Sequence, residues 1–178
     1  MTKLIKFLPV VILGTAISLA ISSAWNDSPI VDEIPHIGAG YSYIQKADMR
    51  LNPEHPPLAK DVAGFAISFL DLKQTVFQKE FWTSDTNGQW NFGRNLIFNS
   101  GNNAIILARV AKFSQLIFFI LSGWIIFYWT KKLYSRKAGL LALFLFSFSP
   151  RMAWNFNASP SMPCIPTLMS IRPRSWNY

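Results

Sequence analysis

Outside residues 27–85 the chain contains no acidic residue, and all nine of its aspartates and glutamates lie within that window. Charge is scarce altogether: 15% of residues are charged, against roughly 25% in an average soluble domain. That shortage excludes an ordinary water-soluble globule as the first reading. Cysteine is nearly absent too. Cys164 stands alone, which excludes an internal disulfide and says little about compartment. What the chain has instead is apolar surface, with 51% hydrophobic residues, 15 Phe and 7 Trp in 178 residues. The length suits one domain, and the composition suits one that faces lipid.

The net charge of +8 raises the question of nucleic acid, and its distribution answers against it. Residues 25–103 hold all nine acids against six bases, whereas the other eleven bases stand in segments without any acid. Bases that flank apolar runs are topology signals, not a stripe that follows a phosphate backbone.

The organisation follows these runs. Residues 1–24 form the first expected transmembrane helix, with Lys3 and Lys6 before the apolar segment. A signal peptide is the other reading, because Ser22-Ser23-Ala24 resembles a small-residue cleavage site. Either reading sends residues 25–104 out of the cytoplasm as a polar loop. Within it, residues 62–72 are apolar but too short to span; they lie on the membrane surface or pack under the loop. Trp82, Trp90 and Phe92 suit either an interfacial belt or a small core. Residues 105–130 make the second span. Lys131, Lys132, Arg136 and Lys137 then mark a cytoplasmic turn over 131–137. Residues 138–150 begin a third span. The segment 151–178 has four prolines, no acid and no sustained apolar run. It reads as an atypical tail, and a frameshift or truncation near Pro150 is expected.

Two motifs in the loop carry chemistry. In Asp32-Glu33-Ile34-Pro35-His36, Pro35 suits the first turn of a helix expected to run from Pro35 to about Lys46. The helix dipole would stabilise the two carboxylates just before it. A carboxylate held there acts as a general base or ligates a divalent cation; it also simply caps a helix. In Asn52-Pro53-Glu54-His55-Pro56-Pro57-Leu58-Ala59-Lys60 the prolines hold the backbone extended. Such a frame aims an acid, an imidazole and an amine at a polar ligand, and Lys60 would attract phosphate. The plainer reading is a proline-rich turn with solvated charges.

Taken together, Asp-Glu-x-x-His, Gly-Tyr-Ser-Tyr and His-Pro-Pro-Leu-Ala-Lys resemble the first outer loop of protein O-mannosyltransferase-like membrane glycosyltransferases of family 39. Glu54 and His55 also resemble a variant found in the related aminoarabinose transferases. Arg109 resembles a family arginine near the donor phosphate. The resemblance covers roughly residues 5–150. It departs from the family afterwards, because such enzymes have a dozen or so membrane helices and several hundred residues.

The resemblance implies an α-helical integral membrane protein with a GT-C-like N-terminal part, about three transmembrane helices and a large first outer loop. It implies transfer of a sugar from a polyprenyl-phosphate donor to a hydroxyl on a protein, lipid or glycan, with inversion. Asp32 would be the base and Glu33 would position the acceptor or tune Asp32. His36, Glu54, His55, Lys60 and Arg109 would bind substrate, Lys60 and Arg109 by offsetting charge on the departing phosphate. A divalent metal remains open, since relatives vary. Three spans would not enclose both substrates, so the 178-residue chain is expected to be inactive alone. The alternatives are a non-catalytic membrane fragment and a membrane-anchored interaction module.

Overall fold

The computed structural model describes residues 2–25, 29–85 and 88–149; the atypical tail and Cys164 lie outside them. Among the described residues all regular structure is helical. Helix α1 (Thr2–Ala24) is followed by α2 (Glu33–Lys46), α3 (Leu58–Ser68), a 3₁₀ turn at Gln74–Gln78, α4 (Glu80–Thr83) and α5 (Gln89–Arg94). A π-helical turn at Asn95–Asn99 leads to α6 (Ala104–Ser114), α7 (Leu116–Leu133) and α8 (Arg136–Ser147).

Two segments are long and apolar enough to cross a membrane, Lys6–Ala24 and Ala104–Leu133. The second joins α6 and α7 across Gln115 into 30 residues, about 45 Å at 1.5 Å per residue. It starts well because the Asn103 side chain accepts from Ile106 N at 3.1 Å, satisfying one of the helix's unpaired donors. The sequence places the second span over 105–130, and its first part, α6, continues helically into α7. Over the expected start of a third span, α8 has 12 residues, about 18 Å, and the rest of that span lies outside the described residues. Among the described residues two membrane-length helices are therefore present where about three were expected.

Helix α8 folds back along α7 after a two-residue turn, with Ser135 Oγ accepting from Ala138 N at 3.2 Å. The pairing is antiparallel, as the contacts show. Gly139 meets the Phe127 carbonyl, Gly123 meets Leu143, and the Phe119 and Phe146 rings stack at 5.2 Å. Helix α1 adds Leu13 and Ala16 to this core. Gly123 lets α1 and α8 approach closely there, since a Cβ would lie 2.8 Å from a Leu13 methyl and 3.3 Å from a Leu143 methyl, which would have to shift.

A second core lies among α2, α3, α5 and α6, with Ile37, Tyr41, Ile67, Phe92, Leu96 and Leu107 buried in it. Phe77 and Trp82 pack on the Phe92 ring at 5.3 and 5.6 Å. The small-core reading therefore holds for Trp82 and Phe92, while Trp90 is exposed. Helix α3 divides the two readings of its apolar stretch between its faces. Ala59, Ala63, Gly64 and Ile67 are buried, while Leu58, Phe65 and Phe69 are exposed.

Candidate functional site

Helix α2 begins at Glu33, two residues earlier than the proline suggests. Pro35 is tolerated inside because the first helical turn has no carbonyl to receive its missing N–H. Asp32 takes the N-cap position, yet its side chain makes no capping hydrogen bond and is exposed. Glu33 turns back instead: its Oε2 accepts from Ile30 N at 3.0 Å. The same oxygen lies 3.5 Å from Lys112 Nζ, and both residues are buried, at 0% and 3% exposure. The two adjacent carboxylates thus have opposite environments. One is locked inside by a cation from α6, and the other is left at the surface on the same turn.

One helical turn into α2, His36 is buried beside His55, with ring centroids 5.2 Å apart in an edge-on arrangement. Burial pushes the His36 imidazole from its ordinary 6.5 down to about 4. The neighbouring His55 and Lys60 charges push the same way, and Asp32 opposes them. His36 is consequently a neutral imidazole at neutral pH, able to donate from one nitrogen and accept at the other. His55 is exposed above it.

Lys60 lies in the first turn of α3 and is 3% exposed. Its ammonium donates to His55 O at 2.8 Å, to Asn52 O at 2.7 Å and to Asn52 Oδ1 at 3.2 Å. A further bond reaches Tyr43 Oη at 3.2 Å. Burial pushes its pKa down, and the charge of Asp61 pulls it back. The Tyr43 hydroxyl donates to Asn52 O at 2.7 Å, and burial drives its pKa up to about 12. Asn52 completes the network, with its amide nitrogen donating to Gln89 Oε1 and lying 3.5 Å from His36 Nδ1. The proline frame therefore does not aim Lys60 outward. It wraps residues 52–55 around the amine, so their carbonyls hold the cation.

The structure brings His36, His55 and Lys60 together along α2, with Asn52 between His36 and Lys60; Asp32 lies one turn before His36 and its charge reaches that imidazole. Glu54 is exposed, and no hydrogen bond or ion pair among the described residues ties it to the cluster. Arg109 sits elsewhere on α6, where its Nε donates to Trp25 O at 2.8 Å and its guanidinium lies 4.5 Å from the Trp25 ring centroid. No group of three or more His, Cys, Asp or Glu side chains among the described residues is placed to hold a metal ion. The described residues of the loop thus do not fit a divalent metal. An open cleft of about 220 Å³ between residues 70–73 and 101–103 lies at the far end of α3 and contains none of these groups.

Sequence reasoning missed Lys112, Asn52, Tyr43 and Gln89. Lys112 did carry a signal: a cation inside an apolar run, three residues after Arg109, requires a buried partner. Asn52 and Tyr43 stand within the quoted motifs but without an assigned role, and Gln89 carries no signal. Comparison of the chain with protein-family models, curated proteins and solved structures finds no match.

Proposed function

We propose that this chain is part of an integral membrane glycosyltransferase of the protein O-mannosyltransferase-like, GT-C type. It would transfer a sugar from a polyprenyl-phosphate donor to a hydroxyl on a protein, lipid or glycan, at the outer membrane face. The observation that carries the reading is that the two motifs pack together along α2: the two imidazoles meet, Asn52 links the first of them to a buried ammonium, and the charge of the exposed Asp32 acts on that same imidazole. One of the two segments of membrane-spanning length packs on α3 through α6 and reaches Glu33 by Lys112, which would bring the cluster to a lipid-borne substrate.

Asp32 is the base in this reading. Its exposed carboxylate takes the proton of the acceptor hydroxyl as that oxygen attacks the anomeric carbon. The bond from that carbon to the phosphate oxygen breaks, and the lipid phosphate leaves with the electron pair. Inversion follows from the single displacement. Lys60 supplies positive potential from beneath the site, since its donors are already occupied by protein oxygens. His55, exposed above it, is the group placed to meet the departing phosphate. His36, neutral and fixed against Asn52, orients a sugar or acceptor hydroxyl.

The test is donor binding by the 178-residue chain, which is expected to be inactive alone, and single-turnover transfer by that chain joined to further membrane helices, both in nanodiscs with a polyprenyl-phosphate sugar. Transfer that falls about 10²–10⁴-fold in Asp32→Asn is expected, with donor binding retained. Absence of both transfer and saturable donor binding would overturn the proposal. It would favour the rival reading, an interaction module, which the apolar stripe of Leu58, Phe65 and Phe69 on α3 supports.

A further inference from the structure

Two cations one turn apart on α6 hold the two ends of the connection between α1 and α2. Arg109 grips the near end, through the carbonyl and ring of Trp25. Lys112 grips the far end, through the buried carboxylate of Glu33. The exposed Asp32 belongs to the same turn, since Glu33 N donates to Ile30 O at 3.0 Å and Glu33 Oε2 accepts from Ile30 N. Helix α6 continues into the longer apolar segment with only Gln115 between α6 and α7. The turn that carries Asp32 is therefore mounted on a membrane-length helix, with the Glu33–Lys112 ion pair at the contact.

We propose that Lys112 is a positioning residue: acting through Glu33, it fixes the turn that presents Asp32 to the acceptor hydroxyl. The proposal rests on the glycosyltransferase reading for its catalytic consequence, but the mounting itself is testable without turnover. A buried pair that only offsets its own charge can be replaced by two neutral residues without harm. A pair that sets the position of a base cannot, because a displacement of about 1 Å costs on the order of 10²-fold in rate.

The experiment compares the wild type, Lys112→Arg, Lys112→Met and the double variant Glu33→Gln/Lys112→Met in nanodiscs. Removing both charges together leaves neither member of this pair facing a lost partner, so the double variant should keep the fold better than Lys112→Met. The expected result is that Lys112→Arg retains turnover within a few-fold, because a guanidinium also pairs with a carboxylate. The folded double variant should lose about 10²-fold in kcat with donor KM little changed. Full turnover in the double variant would overturn the proposal. A second readout serves when the wild type shows no transfer: Asp32→Cys is placed in a Cys164→Ser background and alkylated with a maleimide. The alkylation rate should change at least about threefold when Glu33→Gln/Lys112→Met is added, through altered exposure and local field at the turn. An unchanged rate would overturn the mounting role, whatever the fate of the glycosyltransferase reading.

Discussion

At the scale of the residue, His36 experiences three charges that disagree about its proton. Burial, His55 and Lys60 disfavour the imidazolium, and Asp32 favours it. The folded pKa of about 4 lies below the ordinary 6.5, so the unfolded chain binds more protons between those values. Stability is thus fully present above pH 6.5 and is lost as pH falls towards 4. We expect a loss of about 2–3 kcal/mol across this window from this group. Thermal unfolding of the wild type and His36→Gln at pH 7.5 and pH 4.5 checks it: the fall on acidification should be smaller in the variant. An equal fall in both would show that His36 does not carry the effect. Glu33 and Lys112 follow a related logic. Removing either partner leaves a buried charge uncompensated, which typically costs about 3–5 kcal/mol. The candidate site was only partly legible at this scale. Asp32, His36, His55 and Lys60 were found because their residue types are chemical. Lys60's capture by carbonyls was not, because it depends on how residues 52–55 fold around it.

At the scale of the element, glycines set how closely α2 lies on its neighbours. A Cβ at Gly40 would drive into the Lys60 carbonyl, and one at Gly64 into the Gly40 carbonyl. These are backbone atoms, so neither side can yield without moving a helix. Because Lys60 is itself a site residue, this contact fixes the distance between the two motifs. Gly40→Ala should therefore destabilise the protein by at least about 1–3 kcal/mol, the usual cost of overpacking. Gly14→Ala in α1 is the control, since nothing lies within 4 Å of its added methyl. It should change stability by no more than about 0.5 kcal/mol, or raise it slightly. Unfolding temperatures in one detergent compare the two, and equal shifts would remove the close-packing argument. Elements of long apolar periodicity, α1 and α7, were legible from composition alone. The start of α2 was misplaced by two residues because proline tolerates any position in the first turn. The joining of α6 to α7 agrees with the second span read over 105–130, but what holds the charges of Arg109 and Lys112 within it was not legible. Their partners, Trp25 and Glu33, come from far along the chain and leave no local signature.

At the scale of the molecule, the two cores divide the chain as its charges do. The core of α1, α7 and α8 joins helices that bear bases at one end. The core around α2 holds the acidic window. Lys131, Lys132, Arg136 and Lys137 cluster at the α7–α8 turn, and no acid accompanies them. If both membrane-length helices cross a bilayer, bases are retained on the cytoplasmic side and that turn lies inside. The acidic segment, joined to the opposite ends of α1 and of the α6–α7 rod, then lies outside. Labelling requires exposed probes, which rules out Ser42: it is fully buried, and its hydroxyl donates to Ala39 O at 2.8 Å. Ser84 and Tyr134 are exposed, one in the acidic segment and one at the basic turn. Ser84→Cys and Tyr134→Cys, each in a Cys164→Ser background, should therefore respond oppositely to a membrane-impermeant maleimide. Position 84 should react in intact spheroplasts, and position 134 only after permeabilisation. Reaction of position 134 from outside would reverse the orientation and move Asp32 to the cytoplasmic face. Equal reaction of both positions without permeabilisation would put both ends of the α6–α7 rod on one side, and that helix would not span.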